Sequence, residues 1–554
     1  MLLSAGSATF TLFKAKFIQI FLDNMTEYKN ETYLDFSDPI HHNAQKAALD
    51  NVRSKFGQTW PMYIDGKKVN GDHGTMDSIN PSNTNEIIGT FQMASKDQAL
   101  KALDAAWKAF ETWRYVPAEK RAGILFKAAE ICRRRRLEIN AWMISEAGKN
   151  YLEADADTAE GIDFLEYYAH EALRYDKGME VIDAWGDTNR THYIPLGAGV
   201  SISPWNFPFA ITLGMAAAPI VAGNTVVAKP SPDTPMMGWI IAEIFEEAGL
   251  PAGVFNLVTG DNLEVGETLT TSPDTRFINF TGSLGVGLHI NEVAAKTSDQ
   301  TKWMKRVFAE LGGKNAIVVA DDADLDAAST AVVQAAFGFQ GQKCSAASRV
   351  VVCDKVYDKM LELTVEKAKA LKVGDAKDNY SAGPVVNQKA VDKIMSYIEI
   401  GKKEGRLVLG GSLAETENPG FYIEPTIFAD VDGYARIAQE EIFGPVTAFI
   451  RAKNLDDAFR IANSTKFGLT GGFFSSNKES LDRAMREFHV GNLYINRKNT
   501  GALVGAQPFG GFNLSGTDSK AGGRDYLLCF LQAKSITERP LYGSVQLPDF
   551  KYTK

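Results

Sequence analysis

Thr225-Val226-Val227-Ala228-Lys229, closed by Pro230, is the stretch on which the fold turns. A short, largely apolar run of this length reads as a buried strand. Two similar runs follow, Val254-Phe255-Asn256-Leu257-Val258 and Arg276-Phe277-Ile278-Asn279-Phe280. Between the first two lies Asp233 to Ala248, where Ile240, Ile241, Ile244 and Phe245 form an apolar stripe and Gly249 supplies the stop, which predicts a helix with one buried face. Strand and helix in alternation are the pattern of a parallel sheet joined by crossover helices. A second series predicts a strand over Asn315–Ala320, a helix over Asp324–Phe337, a strand over Arg349–Cys353 and a helix over Val356–Leu371. The chain therefore reads as α/β, with two open twisted parallel-sheet lobes that meet near residue 311. Gly178 to Tyr193, with Val181-Ile182 on one side of an Asp, Gly and Thr centre, reads as a small inserted β-hairpin. No fixed-period repeat is visible.

The 554 residues exceed the roughly 100–200 of a single ordinary domain, so two or three substructures are expected. A composition of 45% hydrophobic and 23% charged residues, without low-complexity tracts, is that of a globular protein. The net charge of −9 argues against a nucleic-acid partner, which calls for a clustered basic face. Arg133 to Arg136, the one basic run, lies in a helical pattern and reads as a solvated face or as structural ion pairs. Four cysteines cannot form a disulfide framework, so a reducing, cytoplasmic location is expected. Met1 to Leu22 is apolar, but Lys14 and Lys16 interrupt it, which argues against a membrane span, and a signal peptide would carry its charges first.

Among the cysteines, Cys344 stands apart in Phe339-Gln340-Gly341-Gln342-Lys343-Cys344-Ser345-Ala346, 34 residues after Glu310 in Glu310-Leu311-Gly312-Gly313-Lys314-Asn315. Small and polar neighbours with Lys343 alongside predict an accessible thiol of lowered pKa. Cys132, Cys353 and Cys529 lie in helical or apolar surroundings and read as packing residues. Cys344 and Glu310 thus read as a nucleophile with its own general base. The dinucleotide fingerprint G-x-G-x-x-G is absent from the strands; Phe280-Thr281-Gly282-Ser283-Leu284-Gly285-Val286-Gly287 stands in its place. It is either a phosphate-holding turn at a helix start or a simple turn. Pro204-Trp205-Asn206-Phe207-Pro208 holds an amide between two prolines, as an oxyanion donor or as a proline-rich bend.

These frames, with Lys229-Pro230-Ser231, Glu440-Glu441-Ile442-Phe443-Gly444-Pro445 and Pro508-Phe509-Gly510-Gly511, occur in the order found in the aldehyde dehydrogenases, which the chain resembles from about residue 60 to about residue 540. The resemblance implies an aldehyde-dehydrogenase-like fold. Its parts would be an N-terminal extension over 1–30, a dinucleotide-binding domain over 31–177 and 194–310, and a catalytic domain over 311–505. Residues 178–193 and 530–554 would supply an oligomerisation hairpin and a C-terminal segment, with a homo-oligomer built from dimers. It also implies that Cys344 attacks an aldehyde, that Asn206 and the Cys344 N–H hold the oxyanion, and that Glu310 activates water. NAD would be the cofactor: Lys229 would contact the adenosine ribose, Ser283 the pyrophosphate, and Glu441 with Phe443 the nicotinamide ribose. Ser203, Pro204, Trp205, Ser231, Gly260, Thr281, Gly282 and Leu311 complete the implied cofactor set. No motif suggests a metal.

Within that family the chain is most similar to the branch that oxidises glutamate γ-semialdehyde, the open form of 1-pyrroline-5-carboxylate, to glutamate in proline degradation. Ser345 follows the cysteine, and Thr500-Gly501-Ala502-Leu503-Val504-Gly505 precedes the Pro-Phe-Gly-Gly frame. In that branch the serine hydroxyl and the glycine–alanine N–H groups hold the substrate carboxylate. Glu160, Phe207, Lys343 and Phe509 are further substrate-shell candidates. An alternative substrate is another semialdehyde, such as succinic semialdehyde. One departure concerns the cofactor: Pro232 stands where many NAD-dependent members have a ribose-binding Glu, so NADP is also expected to be tolerated.

Overall fold

The structure, a computed structural model, describes residues 27–183 and 187–539; the apolar N-terminal stretch and the last residues of the expected C-terminal segment lie outside that range. In the first lobe the strands Ala198–Ile202, Thr225–Lys229, Phe255–Leu257, Phe277–Thr281 and Arg306–Glu310 run parallel, in the spatial order 306–310, 277–281, 198–202, 225–229, 255–257. All five residues of Thr225–Lys229 are buried, which explains why that strand is apolar throughout rather than alternating. The helix Pro235–Ala248 starts with proline in its first turn and stops at Gly249, whose φ of 88° is left-handed. In the second lobe Thr426–Ala429, Val446–Ala452, Ala347–Cys353, Asn315–Val319, Thr470–Phe474 and Asn492–Ile495 form a parallel sheet in that spatial order. The helix Leu325–Phe337 is capped by Asp324, which accepts from the N–H groups of Asp326 and Ala327.

Neither sheet is wholly parallel, unlike the sequence reading. Met62–Ile64 and Lys67–Val69 finish the first antiparallel, and Arg406–Leu409 finishes the second. The first hairpin follows from Asp65-Gly66, at φ of 53° and 71°, a two-residue turn with no length for a crossover. Among its described residues, the segment read as a hairpin of its own bridges locally at Met179 and Thr191. Its strand Thr188–Pro195 pairs over its full length with Leu531–Glu538 from the far end of the chain.

The arginine run is resolved in favour of structural ion pairs. Arg133 meets Glu31 at 2.8 Å and Glu166 at 2.7 Å, Arg134 meets Glu247 at 2.6 Å, and Arg135 meets Glu138 and Glu243 at 3.0 Å each. Arg136 is buried and holds Asp155 through Nε at 2.7 Å and Nη2 at 2.6 Å. Among the described residues no helix is long and apolar enough to cross a membrane.

The Asp155 side chain is wholly buried, so removing its guanidinium partner strands a charge. Arg136→Ala should lower the unfolding free energy by about 3–5 kcal/mol, read by denaturant titration of intrinsic fluorescence. An unchanged midpoint would show that Asn140 and the Leu34 N–H suffice as partners.

Candidate active site

The chain reaches Cys344 through an unusual bend. After the helix Leu325–Phe337, residues Phe339, Gln340 and Gly341 take φ of 48°, 54° and 66°, three left-handed residues in succession. Such backbone costs energy in non-glycine residues and persists only where its surroundings hold it. Here Phe339 is buried, and its ring lies 4.4 Å from the Lys149 ammonium; the same ammonium sits 3.8 Å from the ring of Phe207 in the Pro-Trp-Asn-Phe-Pro loop. Lys149 is wholly buried and faces Asp157 at 3.2 Å, while Asp157 Oδ1 accepts from the N–H of Ala210 at 2.7 Å. Asn206, also buried, donates to the carbonyl of Gln342 at 3.1 Å, so the amide lies against the loop that carries the cysteine.

Cys344 is part-exposed at the residue level, but its thiol lies deep enough that burial pushes its pKa up to about 12. The negative charges of Glu310 and then Glu441 add to the rise. That overturns the expected lowering by Lys343. The Lys343 ammonium is turned to Glu153 at 2.7 Å, 190 residues away in sequence, so its charge is spent there. Glu310 ends the strand Arg306–Glu310; burial holds its carboxyl well above the ordinary range. Its Oε2 has no partner among the described residues, while Oε1 accepts from the Ser519 hydroxyl at 3.4 Å. The 510–520 loop wraps this carboxylate closely: a Cβ on Gly510 would lie 2.9 Å from Oε1 and 2.0 Å from the Ser519 carbonyl.

Most cofactor candidates gather at the C-terminal ends of the first-lobe strands, where ligands of open α/β sheets bind, while Glu441 and Phe443 precede the second-lobe strand Val446–Ala452. Lys229 is buried, donates to Asn262 Oδ1, and is pulled down to about 8 by burial against the opposing charges of Asp261 and Asp233. Ser203 takes a hydrogen bond from the Thr212 hydroxyl at 2.7 Å, and Ser231 is engaged with Asp233. Gly260, at φ 145°, passes beside Ala94 and Val265. Gly282 donates to the Glu310 carbonyl at 3.0 Å, and the Thr281 hydroxyl contacts the Met215 sulphur. Ser283 is the N-cap of the helix Leu284–Ala295 but makes no side-chain capping bond, and nothing stands within 4 Å of a Cβ on Gly285. Leu311 packs on that first turn, since a Cβ on Gly287 would sit 2.3 Å from its Cδ2. Glu441 accepts from the Gly313 N–H at 3.0 Å, and Gly312 is bare because a Cβ would come within 2.5 Å of the Glu441 carboxylate. Trp205 and Phe443 meet edge to face at 5.5 Å. A buried cation and an uncapped helix start facing open space fit a dinucleotide phosphate chain.

On the substrate side, Ser345 is buried and its carbonyl is held by the Asn499 amide at 2.9 Å. Arg497 donates to the carbonyls of Thr500 and Gly501 at 3.1 Å each, while the N–H groups of Gly501 and Ala502 find no acceptor among the described residues. Glu160 is lifted to about 8 by burial and by the nearby Asp157 charge. Phe509 exchanges backbone hydrogen bonds with Ala521. Sequence reading missed Lys149, Glu153, Asn262, Asn499 and Ser519, which act on the site through partners elsewhere in the chain, and Arg497, whose partners Thr500 and Gly501 lie only three and four residues on.

This arrangement of two lobes around a cysteine, a glutamate and an asparagine has a family. The pattern of the aldehyde dehydrogenase family matches residues 68–536, and the chain belongs to that family. A 1-pyrroline-5-carboxylate dehydrogenase of Geobacillus sp. (strain WCH70) is 54% identical over 512 residues, covering 92% of this chain and 99% of the relative. The crystal structure of a 1-pyrroline-5-carboxylate dehydrogenase from Thermus with bound NAD superposes with a TM-score of 0.92 at 50% identity, covering 93% of this chain and 100% of that one. Proline utilization A from Bdellovibrio bacteriovorus gives a TM-score of 0.90 at 42% identity, over 93% of this chain and 53% of that chain.

A thiol raised to about 12 gains thiolate tenfold per pH unit throughout the accessible range. Alkylation of Cys344 by iodoacetamide in the protein alone should keep accelerating from about pH 7 to about pH 10. A rate that levels off between about pH 9 and about pH 10, as for an ordinary cysteine, would contradict the burial reading.

Proposed function

We propose that the protein oxidises L-glutamate γ-semialdehyde to L-glutamate with NAD, the step that completes conversion of proline to glutamate. The observation that carries this reading is the turn at Thr500–Leu503. Arg497 occupies the Thr500 and Gly501 carbonyls, and among the described residues the N–H groups of Gly501 and Ala502 have no acceptor, while Asn499 ties the same turn to Ser345, next to the nucleophile. Convergent N–H donors capture a carboxylate without placing a fixed positive charge beside the thiol. The 1-pyrroline-5-carboxylate dehydrogenases named above support the same substrate.

The Cys344 thiol gives up its proton to solvent as Sγ bonds the aldehyde carbon, and the carbonyl π pair moves to oxygen to form an oxyanion. The Asn206 amide and the Cys344 N–H receive that charge, each donor of this kind contributing about 3–4 kcal/mol. A bound nicotinamide dinucleotide supplies the two-electron acceptor that takes the thiohemiacetal to the thioester. Lys229 and Ser283 would hold its ribose and pyrophosphate, with Glu441 and Phe443 at the second ribose. Glu310, its carboxyl raised by burial, takes a proton from water, and the water oxygen attacks the thioester carbon. The carbon–sulphur bond breaks, the departing sulphur takes the proton held by Glu310 to return the thiol, and the product acid ionises to the carboxylate.

The free cysteines are consistent with a reducing cytoplasm. Exposed Met179, Val181, Ile182, Ile194 and Ile536, on and beside the paired strands 188–195 and 531–538, support a homo-oligomer built from dimers.

Glu310→Gln should release a burst of about one NADH per active site and then turn over slowly, by roughly 100-fold or more. Stopped-flow absorbance reads the burst, and normal steady-state turnover would remove Glu310 from thioester hydrolysis. Ser345→Ala should raise KM for the semialdehyde more than for propanal; equal effects would refute carboxylate anchoring. Pro232 cannot accept a ribose hydroxyl bond, so NADP should support measurable turnover beside NAD in parallel steady-state assays.

A further inference from the structure

We propose that the N-terminal strap Tyr28–Leu34 is a specificity element, with Tyr28 and Asn30 as positioning residues that fix the carboxylate-capturing turn at 500–504 against the helix Tyr151–Asp176. The inference rests on the reading of that turn given above. Tyr28 Oη donates to the carbonyl of Val504 at 3.2 Å, and Asn30 Nδ2 reaches the same carbonyl at 2.9 Å. Asn30 Nδ2 is also 2.9 Å from Asp163 Oδ2, and the Glu31 N–H donates to Asp163 Oδ1 at 2.7 Å. Further along, the Leu34 N–H donates to Asp155 at 2.8 Å. Asp155 and Asp163 are buried carboxylates on the helix that also carries Glu160. The strap therefore joins two sides of the substrate site that lie more than 300 residues apart in sequence.

Packing closes the same joint. The Tyr28 ring meets Tyr167 edge to face at 5.0 Å, directly over Gly505. A Cβ on Gly505 would lie 2.9 Å from the Tyr167 ring and 3.1 Å from the Tyr28 ring, and its φ of 77° is left-handed. Three successive constraints then define the turn. Arg497 takes the Thr500 and Gly501 carbonyls, the strap takes the Val504 carbonyl, and Gly505 donates to the Gly522 carbonyl at 2.8 Å. Among the described residues the N–H groups of Gly501 and Ala502 have no acceptor, and neither do those of Thr500 and Val504; the buried Thr500 hydroxyl is likewise without a partner. Hydrogen bonds to a carboxylate weaken steeply when the donor angle falls, so a turn released at Val504 loses grip on an anionic substrate first. An uncharged aldehyde does not use those donors and is indifferent to the change.

The test uses the full chain, unaltered and as Asn30→Ala and Tyr28→Phe, with saturating NAD. Steady-state KM and kcat are measured for glutamate γ-semialdehyde and for propanal, and L-glutamate is titrated as an inhibitor of propanal oxidation. Asn30→Ala should raise the semialdehyde KM and the glutamate inhibition constant roughly tenfold, with propanal KM and both kcat values unchanged. Tyr28→Phe keeps the ring against Tyr167 and removes only the hydroxyl, so it serves where Asn30→Ala fails to accumulate. It should show the same selectivity at roughly threefold. Parallel shifts for both aldehydes, or no shift for either, overturn the strap's role while leaving the proposed activity standing. Absence of semialdehyde oxidation by the unaltered protein overturns both.

Discussion

A single ammonium keeps the two halves of the candidate site in register. Lys149 has no exposed surface; it faces Asp157 at 3.2 Å and lies between the rings of Phe207 and Phe339, at 3.8 and 4.4 Å. Stripping water from such a cation costs several kcal/mol, recovered only by a close counter-charge and, for a desolvated cation over aromatic faces, by about 2 kcal/mol or more. Phe207 belongs to the loop of Asn206, and Phe339 to the bend that leads to Cys344. Asp157, through its other oxygen, anchors the helix that follows the Asn206 loop. Burial pushes Lys149 down and Asp157 up, and drawing the bend away would give up the contact between the Phe339 ring and the Lys149 side chain, so packing on that side chain helps hold the left-handed backbone at Phe339 and Gln340.

The same burial sets the chemistry of the cleft. Desolvation moves each ionisable group toward its neutral form: the Cys344 thiol to about 12, Glu160 and Lys229 to about 8, and Glu310 well above an ordinary carboxyl. A thiol that is mostly protonated at rest is spared from adventitious oxidants, since thiolate character governs that reactivity. Glu310, with one oxygen lacking a partner among the described residues, is an acceptor for a water proton.

Much of the fold was legible because the buried parallel strands are continuous apolar runs: all five residues of Thr225–Lys229 and of Asn315–Val319 are buried. The antiparallel edges were not read, although Asp65-Gly66 carries the local signal for the first of them. The frames around Cys344, Glu310 and Asn206 were visible because glycine and proline fix their backbones locally. A side chain at Gly312 would collide with the Glu441 carboxylate, and one at Gly510 with the Ser519 carbonyl. The electrostatics were misread at Lys343, where sequence proximity to the thiol meant less than the reach of Glu153 across the cleft. Partners such as Asn262, Asn499 and the strap residues carry no local mark, since their meaning lies in contacts made 33, 154 and 474 residues away in the chain.

The pairing of Thr188–Pro195 with Leu531–Glu538 bears on biosynthesis. At about 5–20 residues per second a ribosome needs on the order of half a minute to make the chain between these strands. Until then the earlier strand emerges with its hydrogen-bonding edge bare, the kind of surface that invites mispairing with other nascent chains. The protein is thus most prone to aggregate before termination, and slowing its translation near the 3′ end of the message lengthens that vulnerable interval.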